Sequence, residues 1–226
     1  MATTSYIDKS GTEYQYHMKF DSSENDFIIV SSDNIAFRVS SSKLKSCGST
    51  FGDMLDTCQS EENTNTHLKI DSSSKILSIF LSAITERTIN LKGLVWEEFT
   101  ELMDLCNQFD TYQAGRTILN DNIKPINHFG EQNAYELFAL ADQFDAFLCV
   151  FKIISAIKPY ADEHSKLWTE GPWPRKSIEN LSVTWVWAYL QGHHQCTIKY
   201  SYNEHSNYWR DVAARFLQNI SEELDN

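Results

Sequence analysis

The part of the chain that decides the fold is a predicted β-hairpin in residues 27–39. Its arms are Phe27-Ile28-Ile29-Val30 and Ile35-Ala36-Phe37-Arg38-Val39, two runs rich in β-branched and aromatic residues. Between them lies Ser31-Ser32-Asp33-Asn34, whose short polar side chains bond to the nearby backbone in turns. The sequence therefore predicts two strands joined by a tight turn.

Downstream of the hairpin, short helices and strands are predicted up to Pro125. Apolar residues three and four apart indicate helices, and alternation of apolar with polar residues indicates strands. Serines stand before the first helices, where a hydroxyl can accept hydrogen bonds from the free N–H groups of the first turn. The predicted helices lie near residues 40–45, 49–55, 71–84, 96–106 and 112–123, and the predicted strands cover residues 67–70 and 88–91.

Beyond Pro125 the strand pattern fades and helical spacing continues. Helices are predicted around residues 134–141, 147–154, 178–189 and 209–220, interrupted by Gly171-Pro172-Trp173-Pro174. This change of pattern predicts an α+β unit in residues 26–124 and an all-α extension in residues 125–226. Residues 1–25 are polar and are predicted to form an N-terminal tail.

Composition places the chain among folded proteins and disfavours two kinds of partner. It has 226 residues, 42% of them hydrophobic, and a formal net charge of −12. Because this charge is spread evenly and no basic cluster interrupts it, direct binding to nucleic acid is not expected. No apolar run approaches the about 20 residues of a membrane-spanning helix, so no membrane contact is expected.

The cysteines and the first residues bear on the cellular compartment. Residues 1–8 lack the apolar stretch of a secretory signal, and the five cysteines are widely spaced. This pattern favours reduced thiols in the cytoplasm or nucleus. Cys106 and Cys149 stand in apolar helical patterns and are predicted to pack as small hydrophobic residues.

Four short segments within residues 26–124 follow one another in the order and spacing of a known family. They are Asp26-Phe27-Ile28-Ile29-Val30, Phe37-Arg38-Val39 with Leu44, Phe51-Gly52-Asp53-Met54-Leu55, and Cys106-Asn107-Gln108-Phe109-Asp110. This part of the chain resembles a BTB/POZ domain, in particular the short BTB proteins of fungi. It departs from the family at Ser40 and Ser41, where His and Lys are usual, and at Cys106, where Ala is usual. Residues 125–226 resemble the helical extension of those proteins.

The resemblance implies a three-stranded sheet flanked by helical hairpins and a function carried by outer surfaces. BTB domains form homo- or hetero-oligomers, so a homodimer and other protein partners are expected, although Ser40 and Ser41 lie near the family's dimer interface. Some members bind a cullin-type ubiquitin ligase scaffold through a hydrophobic-x-Glu element, and Phe99-Thr100-Glu101 matches it within a one-residue slip. The expected function is an oligomerising adaptor or scaffold, and the alternative is a substrate adaptor of a cullin-type ligase.

An N-terminal strand is predicted from the alternation of Tyr14, Tyr16, Met18 and Phe20 with polar residues. The resemblance makes this segment a candidate for the strand that BTB domains exchange between chains. An added strand contributes backbone hydrogen bonds and places alternate side chains in pockets. The alternatives are a strand folded back on its own sheet and a disordered tail.

A second candidate for partner binding is Trp187. Trp185 and Trp187 are two positions apart, so on a helix they cannot share a face. Trp185 is predicted to lie in the core. Trp187 is a candidate contact residue because an exposed tryptophan buries a large area on binding.

The sequence gives little support to a metal site or to catalysis. His193, His194, Cys196 and His205 are the one cluster that resembles a zinc site, but adjacent histidines point in different directions and no Cys-x-x-Cys pair accompanies them. Motifs for nucleophilic catalysis, phosphate binding or zinc hydrolysis do not occur. Neither a cofactor nor enzymatic activity is therefore expected. The alternative is a small enzyme or ligand-binding protein with a pocket between the two halves.

Overall fold

The computed structural model describes residues 5–58, 67–122, 133–156, 181–199 and 208–224. Contacts divide the chain into two compact units, residues 1–115 and residues 116–226. The first unit mixes strands and helices, and the described elements of the second are helical. The predicted α+β fold class is confirmed at this level. Residues 5–7 and 13–16 of the predicted tail form strands of the first unit.

The first unit contains a five-stranded sheet with the order β1-β2-β4-β3-β5. The strands are β1 (Ser5–Ile7), β2 (Glu13–Tyr16), β3 (Phe27–Val30), β4 (Ile35–Val39) and β5 (Leu68–Lys69). β3 and β4 are antiparallel, with Ile29 beside Phe37, which confirms the predicted hairpin. β2 runs parallel to β4 on one side, and β5 runs parallel to β3 on the other. The sheet therefore has five strands where the family resemblance implies three.

The helices of the first unit follow the predicted order. They are α1 (Ser41–Lys45), α2 (Ser49–Cys58), α3 (Ser74–Thr85), α4 (Trp96–Gln108) and α5 (Tyr112–Thr117), whose last two residues belong to the second unit. Ser40 caps α1 by accepting the backbone N–H of Lys43 on its hydroxyl, and Ser73 caps α3 in the same way with Ile76. These hydrogen bonds satisfy N–H groups that have no partner within the helix.

The prediction of a short strand at residues 88–91 is wrong. Thr88 donates its backbone N–H to the carbonyl oxygen of Ser82 in α3, at 3.2 Å, and the segment leads to α4 without joining the sheet. Four residues with two apolar positions match a strand pattern by chance, since so short an alternation carries little information.

Three stacked phenylalanines form the centre of the first unit's core. The rings of Phe51 and Phe109 are 4.6 Å apart and almost parallel, and Phe80 packs against both. Gly48 lies beside this stack, where a Cβ atom would stand 2.5 Å from the carbonyl oxygen of Phe109. The backbone before α2 and the backbone after α4 can approach this closely only because residue 48 has no side chain.

The second unit is described as a set of helices. α5 passes into a five-residue π-helix, Ile118–Asn122, followed by α6 (Ala134–Gln143), α7 (Phe147–Ser155), α8 (Val183–Lys199) and α9 (Tyr208–Leu224). The single helix predicted over residues 112–123 is therefore divided. Asn120 of the π-helix accepts the backbone N–H of Cys149 at 3.0 Å, which satisfies a donor in the first turn of α7. The predicted break at residues 171–174 lies outside the described residues.

Aromatic side chains hold the second unit together. Phe216 of α9 contacts Trp185 of α8 and Phe138 of α6, with ring centroids 5.4 and 5.9 Å apart. Gly192 lets α8 and α9 approach closely, because its Cβ position would lie 3.2 Å from backbone atoms of Phe216 and Val212. Edge-to-face contacts of this kind add to the free energy gained by burying the rings.

Two of the cysteines behave as core residues. Cys106 and Cys149 are fully buried, as predicted, and burial raises the pKa of each thiol to about 12. A thiol with so high a pKa is almost entirely protonated at neutral pH, so it is a poor nucleophile and a poor metal ligand. Among the helices in the described ranges, none is long and apolar enough to cross a membrane.

Candidate interaction surfaces

The two N-terminal tyrosines pack on the sheet of their own chain. Tyr16 lies beside Ala36 in the register of β2 with β4, and both Tyr14 and Tyr16 are buried. Tyr6 stacks on Tyr14, and the guanidinium of Arg38 lies over the Tyr16 ring and donates a 2.7 Å hydrogen bond to its hydroxyl. These contacts hold β2 to the sheet. Exchange of this segment between chains stays a prediction.

The alternation predicted for this strand ends at Tyr16. The chain turns after that residue, and Phe20 donates its backbone N–H to the carbonyl oxygen of His17 at 2.8 Å. Met18 in the turn is 87% exposed, whereas Phe20 is buried against Phe37. The strand prediction is therefore wrong for residues 17–20, and Met18 and Phe20 do not share one face of a strand.

Among the strands that the structure describes, β1 stands at one end of the sheet, and the sequence pattern did not predict it. β1 pairs antiparallel with β2, placing Tyr6 opposite Tyr14. Asp8 donates its backbone N–H to the carbonyl oxygen of Thr12, so these two facing residues form a hydrogen-bonded pair. Facing pairs of an antiparallel ladder are hydrogen-bonded and non-hydrogen-bonded in turn. The N–H and C=O of Ile7, the preceding residue, therefore point away from β2. The Ile7 side chain is 63% exposed. Ile7 thus presents both backbone groups and an apolar side chain at this edge.

The turn between β1 and β2 had a signal in the sequence. Asp8 accepts the backbone N–H groups of Ser10 and Thr12 on one carboxylate oxygen, at 2.9 and 2.8 Å. Its hydrogen bond from the Ser10 hydroxyl lowers the pKa of this carboxyl group. An aspartate followed by Gly11, which has φ of +86°, is typical of a turn of this kind. The pattern predicts a hairpin once Tyr6-Ile7 is included as its first arm.

Phe99 and Glu101, which match the cullin-binding element, both make contacts inside the first unit. Phe99 is fully buried and contacts Trp96, so its side chain belongs to the core and not to a surface. Glu101 is half-buried and accepts a 2.6 Å hydrogen bond from the hydroxyl of Ser72. The assignment of Phe99 as a surface contact is therefore corrected, because a partner cannot reach it while the unit is folded.

Trp185 and Trp187 lie on opposite sides of α8, as the sequence predicts. Trp185 is buried and Trp187 is 40% exposed. Val183 and Leu190 are more exposed still, at 85% and 57%, and His194 is also exposed. Sequence analysis missed Val183 and Leu190. We call the four residues Val183, Trp187, Leu190 and His194 the α8 stripe.

The histidine cluster has aromatic neighbours in the described structure. His193 is half-buried among the rings of Tyr189, Tyr208 and Trp209, with centroids 5.9 to 6.5 Å away. Cys196 is buried, and His205 lies outside the described residues. Within the described ranges, no three His, Cys, Asp or Glu side chains come close enough together to hold a metal ion.

We expect mild acid to destabilise the fold through His193. Burial, and then the neighbouring charge of His194, lower the pKa of His193. The folded state therefore binds this proton less readily than the unfolded chain, whose histidines titrate near about 6.5. Stability should fall as the pH drops from about 7 towards 5. Urea unfolding at pH 7.5 and pH 5.5 measures the loss, and His193→Phe, which keeps a ring but cannot titrate, should make it smaller. An equal loss in both proteins would contradict this role of His193.

Five buried polar side chains take part in structural hydrogen bonds, whereas the buried hydroxyl of Ser155 has no hydrogen-bond partner among the described residues. Ser72 bonds to Glu101, Thr111 to the carbonyl oxygen of Cys106, and Asn219 to that of Ala188. Ser31 and Ser82 likewise bond to nearby backbone carbonyl groups. These groups stabilise turns and helix contacts in separate places and do not converge on one point.

Comparisons with known proteins assign no family to the chain. No family model matches it, and no curated protein is significantly similar to it.

Proposed function

We propose that this chain is a protein–protein interaction module, an oligomerising adaptor or scaffold, whose residues 26–124 form a BTB/POZ-like domain. The order of elements in the first unit supports the proposal. An antiparallel hairpin, two short helices, a strand parallel to the first arm of the hairpin and three helices follow in turn. Within the five-stranded sheet, β4, β3 and β5 are adjacent and would correspond to the three-stranded sheet of the family, with β1 and β2 added beside β4.

The observation that carries the proposal is the outer edge of β1, along which no other strand of the described residues pairs. Edge strands with unpaired backbone groups pair readily with another chain, and proteins that avoid such pairing place charges or proline there. β1 reads Ser5-Tyr6-Ile7 and has neither. A strand added along Ile7 would gain backbone hydrogen bonds and cover an exposed apolar side chain. We therefore assign the oligomerising contact to this edge.

No catalytic role is proposed for any residue. The thiols of Cys106 and Cys149, with a pKa of about 12, are poor nucleophiles, and five buried polar side chains, Ser72 and Asn219 among them, take part in structural hydrogen bonds. The net charge of −12 would favour the approach of basic partners over acidic ones. Partner choice then depends on the surface that the chain presents.

Proline at residue 7 should weaken the oligomer without unfolding the chain. Ile7→Pro removes the N–H that points away from β2, and proline is tolerated where a strand's N–H faces outward. Light scattering on the eluting chromatographic peak should show a lower mass for this variant than for the wild-type protein at equal concentration. Ile7→Val, which keeps the N–H group, should retain the wild-type mass.

Two outcomes would count against this assignment. A wild-type chain that remains monomeric at high concentration, and brings no protein partner with it when purified from its native cell, contradicts the proposed function. An Ile7→Pro variant with unchanged mass contradicts the role of the β1 edge. Circular dichroism of both variants checks that the fold is retained.

A further inference from the structure

Helix α8 has apolar residues on two opposite faces. Trp185, Ala188, Tyr189, Gly192 and Cys196 are buried and lie on one side of the helix. The α8 stripe lies on the other side, because its members follow one another at intervals of four, three and four residues. A helix at the surface of a folded unit needs only one apolar face to pack on its core. The packing of the described residues of this unit therefore does not explain the second face.

Helix α9 provides an internal comparison. It has the same length of 17 residues and packs against α8 through Val212, Phe216 and Ile220, which are buried. Its outward positions carry Arg210, Arg215, Gln218, Glu222 and Glu223. α9 thus shows the ordinary division into an apolar and a polar face. Of these two packed helices, α8 therefore carries an exposed apolar face and α9 does not.

We propose that the α8 stripe binds a second copy of this chain, with the two α8 helices antiparallel across a two-fold axis. Spacing of four and three residues is the a/d pattern by which one helix packs along another. In an antiparallel pair, Val183 lies opposite His194 of the second copy, and Trp187 lies opposite its Leu190. Both pairs belong to one register, because Trp187 lies four residues after Val183 and Leu190 lies four residues before His194. Each large side chain then faces a smaller one.

The distribution of charge favours a second copy over a basic partner. The chain carries a net charge of −12, yet α8 contains no Asp or Glu, and its one Lys or Arg residue is Lys199 in the last position. A basic partner would therefore gain no ion pair along the α8 stripe. Two copies of a strongly negative protein approach each other with least repulsion at a face without acidic side chains. The antiparallel arrangement also opposes the two helix dipoles favourably.

The size of the stripe indicates a weak contact. Residues 183–194 extend over about 16 Å of helix. A pair of such segments covers less than the roughly 800 Å² per partner that stable interfaces bury. We therefore expect a dissociation constant in the micromolar range rather than the nanomolar range. This inference rests on the proposed function, since it identifies one contact through which the chain oligomerises.

Disulfide trapping in the full-length chain tests the antiparallel register. Val183→Cys and His194→Cys are made separately, mixed in equal amounts and oxidised with dilute diamide. The mixture should form a covalent dimer, because the two positions face each other across the axis. Val183→Cys alone should form little, since its two copies would lie about 16 Å apart, too far for a disulfide. The wild-type chain under the same oxidant measures the background from the native cysteines.

Sedimentation at a series of concentrations gives the strength of the contact. Trp187→Glu and Leu190→Glu place like charges in the seam and should raise the dissociation constant at least tenfold. Gln218→Glu, which adds the same charge to the exposed face of α9, should leave it unchanged. The Ile7→Pro background removes the contribution of the β1 edge, so that only the α8 contact remains.

The outcomes separate this inference from the proposed function. Cross-linking of Val183→Cys with itself, or no cross-link in the mixture, overturns the antiparallel α8 contact. Unchanged sedimentation of Trp187→Glu overturns it as well. If the wild-type chain nevertheless oligomerises through β1, the proposed function is retained and the α8 contact alone is rejected.

Discussion

Gly48→Ala should lower the free energy of unfolding by about 3 kcal/mol, near the upper end of the range for side chains forced into a packed site. The added Cβ atom would stand 2.5 Å from the carbonyl oxygen of Phe109 and 3.2 Å from that of Asp110. Both are backbone atoms, which cannot turn aside as a flexible side chain can. Relief requires the segments before α2 and after α4 to separate, and that movement disturbs the stack of Phe51 on Phe109. Urea unfolding followed by circular dichroism measures the change.

Gly52→Ala is the matched control for this substitution. Gly52 lies four residues further along, inside α2, and a Cβ atom there would meet nothing within 4 Å. Alanine is the better helix former, so this variant should gain up to about 1 kcal/mol. The same chemical change is thus expected to have opposite effects at the two sites. Equal destabilisation of the two variants would show that the close approach at Gly48 is not what limits substitution.

Phe216→Ala should be the most destabilising single substitution in the second unit, with a loss of about 3–5 kcal/mol. Phe216 is fully buried where α6, α8 and α9 meet, in contact with Phe138 and Trp185. Removing its ring leaves a cavity that these two aromatic side chains cannot fill without leaving their own positions. The midpoints of thermal and urea unfolding should both fall, and the fluorescence of Trp185 should change because the core around it is loosened.

Gln218→Ala is the control for the Phe216 variant. Gln218 lies two residues away on the exposed side of α9, where it bonds to Arg215 and Glu222. Exposed hydrogen bonds of this kind contribute little net stability, so the change should stay within about 0.5 kcal/mol. A loss of less than about 1 kcal/mol for Phe216→Ala would mean that the aromatic cluster is not the core of this unit.

The elements that sequence analysis predicted correctly are those fixed by near neighbours in the chain. The arms of the 27–39 hairpin end where the turn-forming residues begin, and Asn34 adopts the positive φ of 62° that such a turn requires. Ser40 and Ser73 cap α1 and α3 because a serine hydroxyl reaches an N–H group three residues ahead. Interactions over three or four residues can be inferred from the sequence alone.

The errors occur where distant segments decide the outcome. Tyr14 and Tyr16 follow the predicted alternation because β4 offers them a partner, but Met18 falls in a turn once the chain has passed the end of that pairing. The three-residue pattern Phe99-Thr100-Glu101 predicts a surface contact, whereas the packing of α4 buries Phe99 completely. A short apolar pattern does not reveal whether its apolar residue faces the core or a partner.

Helix α8 shows which features follow from the sequence and which follow from the tertiary structure. The sequence by itself specified a helix with Trp185 and Trp187 on different faces, since the angle between successive residues follows from helix geometry. Only the tertiary structure decided that Trp185 faces Phe138 and Phe216, and that Val183, Trp187 and Leu190 remain exposed. Both faces are apolar, so hydrophobicity alone gives no preference between them. The preference comes from the shape of the neighbouring helices, and in particular from Gly192, whose missing side chain lets α9 approach one face of α8 and not the other.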